Sequence, residues 1–167
     1  MPRDAPPAQE DAPRPHVRAI VIQPVSPLGK LALAAGLIAA GANPPTVTVY
    51  KTSTCGCCKA WVSYLQENGF TVIAHDVDDA ALTQLTREKG VPENLESCHT
   101  AVVGGYVVEG HVPAADIKRM LAEKPKIVGL TVPGMVSGSP GMAGPVPQHF
   151  DVLAFDKNGK TQVYSKN

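Results

Sequence analysis

Thr46-Val-Thr-Val-Tyr-Lys-Thr-Ser-Thr-Cys-Gly-Cys-Cys-Lys59 is the stretch on which the fold turns. Its first five residues, Thr46 to Tyr50, alternate β-branched and aromatic side chains and predict a strand. Thr52, Ser53 and Thr54 are good helix N-caps, so a helix is expected from about Cys55 to Asn68. Trp61, Val62, Tyr64 and Leu65 supply its apolar face, and Gly69 ends it. The cysteines therefore sit at a strand-to-helix turn. There the unpaired N–H groups and the helix dipole stabilise a thiolate.

Outward from that turn the pattern continues. Phe70 to Val77 reads as a second strand and Ala80 to Lys89 as a second helix, with Leu82 and Leu85 inward and Gly90 as its stop. Thr100 to Val103 and Tyr106 to Glu109 read as two strands joined by Gly104-Gly105, a hairpin signal because a type I′ turn needs positive φ twice. Pro113 opens a third helix to about Glu123, with Ile117, Met120 and Leu121 at helical spacing. The order β-α-β-α-β-β-α is the thioredoxin-like α/β arrangement. Lys124 to Gln148 holds five prolines and five glycines in 25 residues, and no regular element is expected there. Phe150 to Asp156 and Thr161 to Tyr164 flank Asp156-Lys-Asn-Gly159, a second hairpin. The expected domain is residues 43–167, with its core at 46–123, the loop at 124–148 and the terminal hairpin at 149–167.

The first 42 residues differ. Pro2, Pro6, Pro7, Pro13 and Pro15 crowd a stretch that cannot bury enough apolar surface to order itself. Arg18 and Lys30 precede an uncharged run, Leu31 to Ala42, shorter than the roughly 20 residues that span a bilayer. It ends Ala40-Gly41-Ala42, a small-x-small cleavage pattern, so residues 1–42 read as a leader of signal-peptide type. A short buried helix is the blander reading. Export would place the cysteines in an oxidising, periplasmic compartment, with no membrane segment left after leader removal.

Composition removes other classes. Fifteen basic residues balance fifteen acidic ones among 167, and aromatics are 5%, so neither the charge nor the stacking surface of a nucleic-acid binder is present. Apolar residues at 44% suffice for a core.

The chemistry lies in the four cysteines. Cys55 and Cys58 are spaced C-x-x-C, with Cys57 between them and Cys98 in Ser97-Cys98-His99-Thr100, just before the third strand. Thiolates are both nucleophiles for disulfide exchange and soft ligands for Cu(I) or Zn(II). A stabilising disulfide, Cys55 to Cys58 or one of them to Cys98, is the plain alternative. Thioredoxins place a cis-proline immediately before this strand; here the corresponding position is His99, next to Cys98, so a substrate-docking wall becomes a potential ligand wall.

Counting outward from Gly104-Gly105, Val103 opposes Tyr106, Thr100 opposes Glu109 and Cys98 opposes His111. Opposed residues share a face, with Cβ atoms about 4.5–5.5 Å apart. Cys98 and His111 are thus expected as neighbours, and His99 on the other face unless the chain bends. Glu109, on the face of His111, is expected to orient that ring.

In the irregular loop, Met135 and Met142 carry thioethers suited to Cu(I), or else plug gaps over the core; Met120 belongs to the core by its spacing. His16, His75 and His149 read as structural or exposed, and Lys59 as an exposed helix residue. Asp76, Asp78 and Asp79 lack the spacing of a calcium loop and read as a cap for the second helix.

Four stretches together resemble the CopG-like copper-resistance proteins of bacteria, long classed as a domain of unknown function. They are Val49-Tyr-Lys-Thr-Ser-Thr-Cys-Gly-Cys-Cys-Lys-Ala-Trp61, Ser97-Cys98-His99-Thr100, Gly105-Tyr-Val-Val-Glu-Gly-His-Val-Pro113, and Gly129-Leu-Thr-Val-Pro-Gly-Met135 with Gly138-Ser-Pro-Gly-Met142. Val136 stands where that family often has proline. The resemblance implies a periplasmic, thioredoxin-like protein of copper homeostasis that binds copper through cysteine and other soft ligands.

The expected metal ligands are Cys55, Cys57, Cys58, Cys98, His99, His111, Met135 and Met142. They are sulfur-rich enough for more than one Cu(I) ion. Other periplasmic copper-handling proteins are the expected partners. Thiol chemistry at Cys55 and Cys58 would admit copper on reduction and expel it on oxidation. It would also let two thiols reduce Cu(II), making the chain a copper-linked thiol oxidoreductase. The rival is a metal-free thiol–disulfide oxidoreductase with Cys55 attacking and Cys58 resolving. A zinc or iron–sulfur module is a third class.

Overall fold

The computed structural model describes residues 43–167; the leader expected at residues 1–42 lies outside them. Strands β1 (Thr46–Lys51), β2 (Thr71–Asp76), β3 (His99–Val103), β4 (Tyr106–Glu109), β5 (Gly129–Thr131), β6 (Asp151–Phe155) and β7 (Thr161–Lys166) form one sheet in the order β2-β1-β3-β4-β5-β6-β7. Helix α1 (Gly56–Glu67) follows β1, α2 (Asp79–Glu88) follows β2, and α3 (Ala114–Glu123) follows β4. β1 runs parallel to β2, and β4 to β5; the other four pairings are antiparallel. The architecture is a mixed α/β sheet with three helices among the described residues. None of those helices is long and apolar enough to cross a membrane.

Local chemistry explains most of these elements. In β1 the alternation buries Val47, Val49 and Lys51. They face Val103, Ala101 and His99 in the neighbouring strand. Trp61 and Leu65, four apart on α1, meet Ile117 and Met120 of α3 on this side of the sheet, around one main core. On the other side Val91, Leu95, Val107 and Phe155 form a smaller cluster. The Asp78 carboxylate accepts from Ala81 N–H and starts α2, the cap expected of the acidic cluster. Gly104 and Gly105 have φ of +56° and +87°, and the hairpin register is the expected one, with Val103 opposite Tyr106 and Thr100 opposite Glu109.

Two expectations fail. Helix α1 is capped by the Cys55 sulfur, which accepts from Cys58 N–H at 3.3 Å, and not by Thr52, Ser53 or Thr54. The capping atom is thus itself a reactive sulfur. Within the Gly/Pro-rich segment 124–148, Gly129–Thr131 is a buried strand inserted between β4 and β6. Its glycine looked like loop composition, but β4 passes so close that a Cβ on Gly129 would collide with the Val107 carbonyl oxygen. The glycine is what lets the strand pack. The sheet therefore runs continuously through the segment into the terminal hairpin β6–β7, which forms as expected.

Candidate metal centre

The fold brings together six of the eight expected ligands. Cys55 sits at the N-cap of α1, with Cys57 and Cys58 in its first turn. Cys98 immediately precedes β3, His99 is its first residue, and His111 lies in the turn after β4. Ligand atoms of Cys55, Cys57, Cys58 and Cys98 lie within 4.8 Å of one another, and so do those of Cys98, His99 and His111. Cys98 belongs to both groups and joins them. Its Sγ stands 3.8 Å from Cys57 Sγ, 3.1 Å from His111 Nε2 and 3.5 Å from His99 Nδ1.

Cys55 and Cys58 are joined as a disulfide, while Cys57 and Cys98 are free thiols. Cys57 Sγ is 3.5 Å from Cys55 Sγ. Cys58 is fully buried and Cys55 is partly accessible, at the edge of a cleft of about 230 Å³ that Thr52, Asp79, Thr86, Ser97 and Cys98 also line. Accessible sulfur first and buried sulfur second is the order an exchange-active dithiol needs.

The neighbourhood of Cys98 and His111 follows the hairpin count. His99 departs from it. Strand alternation turns its ring toward α1, where it lies against Trp61 with ring centroids 4.4 Å apart. Yet the chain bends at Gly110 (φ +69°), beyond the last ladder pair, and the His99 and His111 rings meet edge to face at 5.0 Å. The bend brings both imidazoles to Cys98. Trp61 also donates its indole N–H to the Val112 carbonyl at 3.0 Å, tying α1 to the residue after His111.

The expected partner of His111 was wrong. Glu109 does not orient that ring: its oxygens are taken by Ser97 N–H and Thr100 O–H, both at 2.7 Å. The orienting group is the Pro140 carbonyl, 2.7 Å from His111 Nδ1. A carbonyl only accepts, so Nδ1 carries the proton and Nε2 presents its lone pair to Cys98.

Met135 and Met142 are not placed alike. Met135 is 63% exposed, whereas Met142 is half-buried in a loop closed by hydrogen bonds from Met142 N–H to the Ser139 carbonyl and from Gly138 N–H to the Met142 carbonyl. The next residue back, Gly141, lies against the start of α1, where a Cβ would come within 2.7 Å of Trp61 N and 3.0 Å of the Cys57 carbonyl oxygen. This loop therefore rests on the cysteine turn. His75 stacks on Tyr50, His149 contacts the Asn167 carbonyl, Met120 is in the core and Lys59 is exposed, as read from sequence.

Lys51 was missed. It is 4% exposed, pairs with Asp76 and faces His99 across the β1–β3 ladder. The signal was available in period two, since Val47, Val49 and Lys51 share one face.

Burial governs the protonation states. It lowers the His99 pKa to about 3, helped by the adjacent His111 and by Lys51. It lowers that of His111 as well. Both rings are neutral at pH 7 and able to ligate. Burial, then the nearby Cys57, pushes the Cys98 thiol up to about 12. Burial also pushes the Glu109 carboxyl up to about 7.

The donor set is four sulfurs and two imidazoles, with the one buried carboxylate nearby already occupied. That suits a soft or borderline ion and not magnesium or calcium. His99 turns Nδ1 toward Cys98, while its Nε2 is buried with no hydrogen-bond partner. The residues present thus fit a soft metal ion.

A family profile described as "Protein of unknown function, DUF411" matches residues 95–142, which contain Cys98, His99, His111 and both loop methionines. Two solved structures of a copper resistance protein CopG, form 1 and form 2, are similar to this chain. Each is 40% identical with a TM-score of 0.68, and each match covers 74% of this chain and 98% of that one. No curated protein matches the chain.

Proposed function

The chain belongs to the family of the copper resistance protein CopG, and from that premise we propose that it is a periplasmic protein of copper homeostasis whose cargo is Cu(I). The observation that carries this reading is the junction at Cys98, where three sulfurs of the α1 turn and two neutral imidazoles converge. Cys55, Cys57, Cys58 and Cys98 supply thiolates, His111 and His99 supply nitrogen, and Met135 and Met142 cover the site. Four thiolates and two imidazoles together exceed what one trigonal or tetrahedral ion needs, which favours more than one ion per chain. Residues 1–42 act as the export leader. The strand order β2-β1-β3-β4, parallel at β1–β2 and antiparallel from there on, supports a thioredoxin-like reading of this half.

One test is anaerobic Cu(I) titration of the reduced full-length chain, with metal counting and X-ray absorption. Saturable uptake with a sulfur-dominated first shell is the expected result. The second reading, a metal-free thiol–disulfide oxidoreductase, is favoured by the Cys55–Cys58 disulfide with its accessible and buried partners. No bound copper together with full reduction of a model disulfide would move the assignment there.

The protonation states add a pH prediction. At pH 7 Cys98 is a thiol, so its coordination must displace a proton, whereas His99 and His111 have none to lose at the ligating nitrogen. Apparent Cu(I) affinity is expected to rise with pH and fall with acid. The thiolate share of the site grows with each unit, and this trend persists well above pH 9 because the Cys98 pKa is raised and not lowered. Proton release in weakly buffered titrations checks it. Removing Cys98 is expected to cut the release by about one proton per chain; an unchanged release sinks the assignment of Cys98 as ligand.

A further inference from the structure

One fully buried carboxylate lies outside the ligand set and yet touches both flanks of it. Glu109 at the end of β4 accepts from Ser97 N–H through Oε1 and from Thr100 O–H through Oε2, each at 2.7 Å. Between those two residues stand Cys98 and His99.

Ser97 is held twice more. Its Oγ–H donates to the Gly134 carbonyl at 2.7 Å, and it packs so tightly on Gly110 that a Cβ there would lie 2.6 Å from its Oγ. Thr100 Oγ is 2.6 Å from Thr86 Oγ, whose O–H donates to the Leu82 carbonyl, so α2 backs the other arm.

Ordinary packing does not account for a carboxylate here. Thr100 and Glu109 are a directly opposed pair inside a sheet, a place where two apolar side chains fit without burying an acid. Ser97 and Cys98, however, precede β3 and lack ladder partners, so their position must come from elsewhere. Glu109 supplies it from the strand end that also carries His111. It thereby braces the Cys98 segment directly against the His111 turn.

We propose that Glu109 is a positioning residue of the metal centre: by bridging Ser97 and Thr100 it fixes the Cys98–His99 segment within reach of Cys57 and His111. The proposal rests on the copper reading above.

The test uses the reduced full-length chain under anaerobic conditions, with Cu(I) affinity read by competition against bicinchoninate. Glu109→Ala is expected to weaken Cu(I) binding roughly 10–100-fold, the usual cost of losing a group that holds a ligand. Glu109→Gln is expected to recover most of that. Its carbonyl still accepts from Ser97 N–H, and its amide donates to Thr100 Oγ, which then donates to Thr86.

The deciding measurement is a double-mutant cycle. In a Cys98→Ser background, Glu109→Ala should cost markedly less than in the wild type, because His99 is then the one ligand left on the segment it positions. A merely structural carboxylate would cost the same fold-change in both backgrounds. A copper-free readout accompanies it: the Ser97 amide should exchange hydrogen at least about tenfold faster in Glu109→Ala while amides of α3 stay unchanged. Should Glu109→Ala fail to fold, Thr100→Val removes one arm at nearly constant volume and is expected to show a smaller loss with the same non-additivity.

Additive losses, or unchanged affinity in Glu109→Ala, overturn the positioning role alone. A wild-type chain that takes up no Cu(I) overturns the copper reading and this proposal with it.

Discussion

Cys98→Ser is expected to weaken Cu(I) binding by more than a hundredfold while leaving the fold in place. Cys98 is the only residue common to the sulfur group and the histidine group. Replacing its sulfur with a hydroxyl removes the soft donor at the junction and substitutes a hard one that Cu(I) disfavours. Losing an outer partner of a ligand already costs roughly 10–100-fold, so losing the ligand that joins the two halves should cost more. The side chain is half-buried and nearly isosteric with serine, so the change in unfolding free energy should stay within about 1 kcal/mol. Bicinchoninate competition reads the affinity, and circular dichroism reads the fold. An unchanged affinity in a folded variant would show that Cys98 is a bystander.

Closing the Cys55–Cys58 disulfide is expected to have the next largest effect. Sulfurs bonded to one another are not thiolates and give up their strength as ligands. The oxidised chain keeps only Cys57 and Cys98 as thiols, beside the two histidines. Copper retained per chain after gel filtration should fall to half or less of the reduced value. Tris(2-carboxyethyl)phosphine supplies the two electrons, water the two protons, and the full capacity should return. Equal retention in both states would leave the C-x-x-C pair with a structural role and would separate thiol chemistry from metal uptake.

Where local rules act, the site was legible. Gly104-Gly105 set a turn, the turn set a register as far as Thr100 and Glu109, and Cys98 and His111 just beyond it are the neighbours that extending the count leads one to expect. The same counting stopped at Gly110, because a positive φ ends the alternation on which it depends. His99 was therefore expected on the far face, although its ring reaches Cys98 and His111. The Pro140 carbonyl was invisible for another reason. Main-chain acceptors carry no side-chain letter, and this one comes from a loop 29 residues further along the chain. Glu109 was rightly placed on its face but given the wrong partner, since two nearer donors satisfy it first. Strand β5 escaped because a three-residue strand led by glycine has the composition of a turn.

The contact between Trp61 and His99 carries a practical consequence. The chain contains a single tryptophan, and its indole lies against an imidazole of the candidate site. Intrinsic emission from this protein is therefore a one-site optical signal that originates at the centre itself, free of background from other indoles, and occupancy can be followed in real time without attaching a dye.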